Sequence, residues 1–186
     1  MSSCTTGSIT FQNLYTSLKP LINPDRSIPS QYDENFPYAY ASLRVGRGQI
    51  IYVVLSEANN NILRWVSSDG FEINTINGKI ISTNGFERNI IFHNPKSDLM
   101  LKNISELNYI ASISSKSHDL FDVNVSIKRK KLNNFIQESF DVKSIKWKGK
   151  NSYYLDDNQR VIRSISEINP LLPKIEMQFY NLHIDH

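Results

Sequence analysis

From Tyr38 onward, apolar and polar residues alternate in short β-branched and aromatic runs broken by turn residues, the signature of half-buried strands. Tyr38 to Val45, Gln49 to Ser56 and Asn61 to Ser67 are three such runs, separated by Gly46-Arg47-Gly48 and Glu57-Ala58-Asn59-Asn60. They predict a meander. Phe71 to Ile76 and Lys79 to Thr83 flank Asn77-Gly78, the pair suited to the two positive-φ positions of a type I′ hairpin turn. Asp69-Gly70 and Asn84-Gly85 punctuate the neighbouring strands in the same way. Phe86 to Phe92 has no clear period, and Asp98 to Leu107 fits a short helix and an extended connection equally well. Tyr109 to Ser115, Leu120 to Lys131 and Asn134 to Trp147 resume strand composition. In Ser144-Ile145-Lys146-Trp147-Lys148 strict alternation predicts Ile145 and Trp147 inward and the lysines outward. Ser152 to Leu155 and Arg160 to Ile168 flank Asp156-Asp157-Asn158-Gln159, and Lys174 to Leu182 follows Pro170-Leu171-Leu172-Pro173. Ahead of all these, Ile9, Phe11, Leu14, Tyr15 and Leu18 recur at helical spacing between a capping Ser8 and Pro20. Pro24, Pro29 and Pro37 then forbid a regular ladder.

The sum is a mainly β chain of about ten antiparallel strands with one or two short helices. That many strands need a closed barrel or a sandwich to hide their edges. At 186 residues the chain suits one domain, spanning residues 8–186, behind a short tether at 1–7. Composition changes little: 40% hydrophobic and 21% charged residues describe a globular chain. A net charge of +3 is mild, and the basic residues concentrate only in Lys128-Arg129-Lys130-Lys131 and between Lys143 and Lys150. These runs suit phosphates or an acidic polysaccharide in principle, but without a nucleic-acid motif they read first as solvated strand faces. No stretch is apolar for long enough to cross a bilayer as a helix.

A search for chemistry returns turns. Ser117-His118-Asp119 has the letters of a catalytic triad, but adjacent side chains diverge, whereas a triad converges from separate segments. His183, Asp185 and His186 crowd the C-terminus without a further ligand beside them. The Asp156 to Gln159 run lacks the alternating ligands and distal Glu of a calcium loop. With no phosphate-binding or dinucleotide glycine pattern either, the sequence nominates no catalytic residue, metal ligand or cofactor.

Read in order, the blocks are similar to the group 4 capsule polysaccharide lipoproteins, the family of GfcB and YjbF. Carrying the resemblance are Pro37-Tyr38-Ala39 with Leu43-Arg44, Ile50 to Leu55, Trp65 to Gly70, Thr75 to Ile80, Thr83 to Phe86, and Tyr154 to Asp156 with Arg160 to Ser164, Pro170 and Pro173. Lys79 departs from the family, where an arginine is common. The resemblance implies a barrel-like lipoprotein domain without catalytic activity, accessory to capsule or exopolysaccharide assembly or export. It also gives meaning to Met1-Ser2-Ser3-Cys4, which looks like the end of a lipobox. Cys4 then becomes the lipidated residue, and Thr5 behind it directs the chain to the outer membrane, facing the periplasm. The basic start and apolar core of a signal peptide are not visible ahead of it. Implied partners are an outer-membrane polysaccharide-export barrel or other capsule proteins, a glycan, and the membrane through the lipid, with no nucleic acid. Arg44, Arg47, Trp65, Asp69, Arg160 and Arg163 are the candidate contact residues, with core and turn roles open for Trp65 and Asp69. The other reading is an envelope enzyme, a lyase or esterase that trims the polymer.

Overall fold

In the computed structural model the described residues are 38–93, 106–115 and 119–182. The helix expected at Ser8 to Leu18, residues 98–105 of the connection expected at Asp98 to Leu107, and Cys4 lie outside them, as do Ser117, His118 and the C-terminal histidines. Twelve strands follow one another: β1 (Tyr40–Val45), β2 (Ile50–Asn59), β3 (Ile62–Ser67), β4 (Glu72–Ile76), β5 (Lys79–Asn84), β6 (Arg88–His93), β7 (Leu107–Ser115), β8 (Asp119–Leu132), β9 (Phe135–Val142), β10 (Trp147–Leu155), β11 (Val161–Ser166) and β12 (Ile175–Tyr180). Each pairs antiparallel with its sequence neighbours, and β1 pairs with β12 from Tyr40↔Tyr180 to Val45↔Ile175. The sheet is a closed up-and-down barrel. Closure removes the exposed edges that about ten strands would otherwise have presented.

Alternation sorts the side chains. Leu43, Val53, Trp65, Ile73, Ile90, Ile127, Ile136 and Met177 are fully buried in the interior. On the outside, Arg64 bridges Glu57 and Glu72, and Lys148 pairs with Asp141. This apolar-in, polar-out order is the reverse of a membrane-crossing barrel. No helix among the described residues is long and apolar enough to cross a membrane.

The predicted Asn77-Gly78 turn has positive φ at both residues, 47° and 74°. Its hairpin does not stand free. Ile81 is an extra residue in the β4–β5 ladder, where the register shifts between Asn74 and Thr75, and such a bulge bends the strand. The turn thereby meets Val161 at the start of β11, which stands opposite β5 in the ring. The hairpin closes this end of the barrel. At the other end, the β11–β12 connection buries Ile168 and Asn169, and the Asn169 side-chain amide donates to the Ser114 carbonyl of β7 at 3.5 Å.

The expected strand through Ser144 to Lys148 is interrupted. Lys143–Ile145 is a 3₁₀ turn, and Lys146 takes a left-handed φ of 53°, so β9 and β10 are separate strands. Trp147 still turns inward and Lys148 outward. Phe86 to Phe92, which the period left undecided, contributes β6 from Arg88.

A Cβ on Gly78 would lie 2.4 Å from Val161 Cγ1, and its φ also disfavours an L side chain. Gly78→Ala should therefore lower stability by about 1–3 kcal/mol. Urea unfolding of wild type and variant measures this, and an equal midpoint would refute the packing of the turn on Val161.

Candidate functional site

The most concentrated chemistry lies inside the barrel, beneath the β4–β5 hairpin. Glu138 on β9 is fully buried, and so, very nearly, are Lys79 at the start of β5, Arg129 on β8 and Tyr153 on β10. Lys79 Nζ donates to Glu138 Oε2 at 2.8 Å and the Tyr153 hydroxyl donates to the same oxygen at 3.1 Å. Arg129 donates to the other oxygen, Oε1, through both Nε and a terminal nitrogen. The Lys79 ammonium also stands over the Tyr109 and Phe92 rings, 5.0 and 5.5 Å from their centroids, where the ring faces attract a cation.

Burial opposes ionisation of Glu138, but the Lys79 and Arg129 charges and their hydrogen bonds outweigh it and hold the carboxyl below its ordinary range. Burial pulls Lys79 down, and the Glu138 carboxylate offsets this only in part. Burial, with the neighbouring carboxylate, pushes the Tyr153 phenol well up. Removing one partner from such a cluster strands a buried charge. The arrangement is a clasp: β5 on one side is tied to β8, β9 and β10 on the other. Sequence reading placed Lys128 to Lys131 on a solvated face and did not nominate Glu138. Strand alternation was the available signal, because with Lys128 and Lys130 outward, Arg129 must point in.

The nominated contact residues scatter. Arg44 on β1 and Arg163 on β11 meet on the outer wall at Glu176 of β12: Arg163 Nε donates to Glu176 Oε1 at 2.9 Å, and Arg44 approaches Oε2 at 4.0 Å. The Arg163 guanidinium also lies over the Tyr154 ring, 5.2 Å from its centroid. Arg160 is engaged by Asp156, through its backbone N–H at 2.8 Å and its Nε at 2.9 Å. That turn therefore spends its carboxylate on its own chain, and Arg160 holds Asp156 below the usual carboxylate range against the opposing effect of burial. Arg47 and Asp69 are exposed in the β1–β2 and β3–β4 turns. Trp65 is in the core, fully buried, with its indole N–H donating to Thr75 Oγ1 at 2.9 Å and its ring 5.4 Å from that of Phe179. It offers no face to a ligand. Among the described residues no cluster of His, Cys, Asp or Glu is placed to hold a metal ion.

The outer wall of β8, β9 and β10 holds a feature that the lysine spacing had only hinted at. A groove of about 520 Å³ is lined by Lys128, Lys143, Lys148 and Lys150 against Glu106 and Asp141. A second of about 610 Å³ continues it through Ser126, Asp141 and Lys143 to Leu120, Phe121 and Ile145. Register explains the lining: Ser139 on β9 lies between Lys128 and Lys150, and Asp141 between Ser126 and Lys148.

At neutral pH Glu138→Gln should cost about 3–5 kcal/mol. Because its carboxyl titrates below the unfolded value, Glu138 contributes stability above the normal carboxylate range and loses it as pH falls through its lowered folded value. Urea unfolding across acid pH should therefore show a shallower acid limb in Glu138→Gln than in wild type. Parallel limbs would contradict the clasp.

Comparison with known proteins agrees with this architecture. The chain is similar to the hypothetical lipoprotein YmcC of Escherichia coli (K12), with a TM-score of 0.72 and 21% identity over 97% of this chain and 98% of that one, a likeness of fold. No curated protein sequence matches it. The family described as group 4 capsule polysaccharide lipoprotein GfcB, YjbF matches residues 11–180. With nearly the whole chain covered, barrel included, the protein belongs to the group 4 capsule polysaccharide lipoprotein family.

Proposed function

We propose that this chain is a non-catalytic lipoprotein domain that serves capsule or exopolysaccharide assembly or export by binding a glycan or a partner protein. In this reading lipid on Cys4 holds it at the periplasmic face of the outer membrane, within reach of an export barrel in that membrane. The observation that carries the proposal is the family match over residues 11–180. Two features of the barrel support the binding role. Lys79, Glu138 and Tyr153 are closed inside and satisfy each other, so their chemistry is turned away from a polymer. The outer wall instead presents the lysine-lined groove. Lipid at Cys4 would anchor the domain, although a single acyl chain binds a bilayer only reversibly, and the two or three chains of a lipoprotein cysteine would make the attachment stable.

Deleting the gene in its host tests the role. The expected outcome is less polymer at the cell surface with its sugar composition, acylation and chain length unchanged. Polymer of altered chemistry would overturn the reading in favour of an enzyme. Intact-mass analysis of the protein purified from host membranes tests the anchor. A mass carrying lipid on an N-terminal Cys4 is expected, and an unmodified Cys4 still preceded by Met1 would exclude it.

A further inference from the structure

The described residues carry three charged arrays. The interior cluster is sealed, and on the wall Arg44 and Arg163 both lie against Glu176. The groove over β8, β9 and β10 is open to solvent and sets four lysines against Glu106 and Asp141. Lys148 shares Asp141 at 3.4 Å, whereas Lys128, Lys143 and Lys150 form no ion pair among the described residues. Unspent ammonium groups along a groove favour an anionic ligand.

Their spacing says what kind. Lys128 and Lys150 flank Ser139 in register, so their backbones are about 10 Å apart, two strand spacings. Lys148 and Lys150 follow one another on the same face of β10, about 7 Å apart along the strand. A compact anion cannot span such a lattice, but an extended polymer with a charge on successive units can. At the far end of the groove Phe121 is 72% exposed, beside the left-handed Asp122 (φ 53°) that bulges β8. An aromatic ring standing in solvent beside cations suits the apolar C–H face of a sugar ring, which sheds water against it while the sugar's charged substituent reaches a lysine.

We infer that this groove binds an acidic, carboxylate-bearing polysaccharide, with Lys128, Lys143, Lys148 and Lys150 on its carboxylates and Phe121 against a sugar ring. The inference rests on the proposed glycan-binding role and narrows it to a ligand class and a site.

Calorimetric titration of the full chain with polygalacturonate oligosaccharides tests it, with neutral dextran as the comparison probe. Polygalacturonate should bind, more weakly as salt is raised. The triple variant Lys128→Gln, Lys143→Gln, Lys150→Gln should lose about tenfold or more in affinity. A triple of equal charge change elsewhere, Arg64→Gln, Arg88→Gln, Lys174→Gln, should stay within about twofold of wild type. Phe121→Ala should weaken binding several-fold while leaving the salt dependence unchanged. Equal losses in both triples would mean diffuse electrostatics and overturn the site. Dextran binding that neither salt nor the groove triple affects would preserve the glycan-binding role and refute this groove. Failure of both polymers to bind, or binding of DNA or anionic vesicles alone with the same loss in the groove triple, would refute the ligand class.

Discussion

A single carboxylate organises the interior. Glu138 accepts from Lys79, Arg129 and Tyr153 in an interior whose buried side chains are mostly aliphatic and aromatic. An ion buried there without partners would be costly, and so would any one of these cations left without the carboxylate. The cluster is therefore formed as a set, and its members come from four different strands. Lys79 reaches it from the end of the β4–β5 hairpin, which carries Ile81 as an extra residue and lays its turn on Val161. The hairpin that closes one end of the barrel thus also supplies a partner for its buried carboxylate.

That coupling shapes where function sits. Charge spent inside on the clasp is unavailable to ligands, and both barrel ends carry packed connections: the Asn77-Gly78 turn at one, Ile168 and Asn169 at the other. What the protein offers the periplasm under the proposed role is its outer wall. There Arg44 and Arg163 share Glu176, while the β8–β10 groove holds three lysines without an ion pair among the described residues and an exposed ring at its end. The lipoprotein family supplies the context in which such a wall would meet a polysaccharide.

Much of the fold was legible because strand periodicity and turn chemistry are local. Asn77-Gly78, the runs either side of Gly46-Arg47-Gly48 and the closing hairpin before β12 all read correctly from residues within a few positions of one another. Phe86 to Phe92 did not, since Ile90 points in and Ile91 out, so adjacent apolar residues hide the period, and β6 meets β5 through the slight pairing of Ser82 with Ile91. The break at Lys143 to Ile145 was missed because alternation continues through the 3₁₀ turn in letters though not in backbone. Glu138 was invisible for a different reason. Its partners are separated from it by up to 59 residues in sequence, and no local pattern records a contact that exists only once the barrel closes. The same holds for Trp65, whose burial against Phe179 was one of two readings and is settled by closure. Lys79 has a physical place: a compact ammonium fits between the Phe92 and Tyr109 rings and a single carboxylate oxygen, while Arg129 already takes the other oxygen with two donors.

The central claim is that Lys79 and Glu138 stabilise the barrel as a pair. A double-mutant cycle with Lys79→Met, Glu138→Gln and their combination, measured by urea unfolding at neutral pH, tests it most directly. The clasp predicts a coupling energy of about 1–3 kcal/mol, with the double variant more stable than the sum of the single losses implies. Losses that add to within about 0.5 kcal/mol would contradict it.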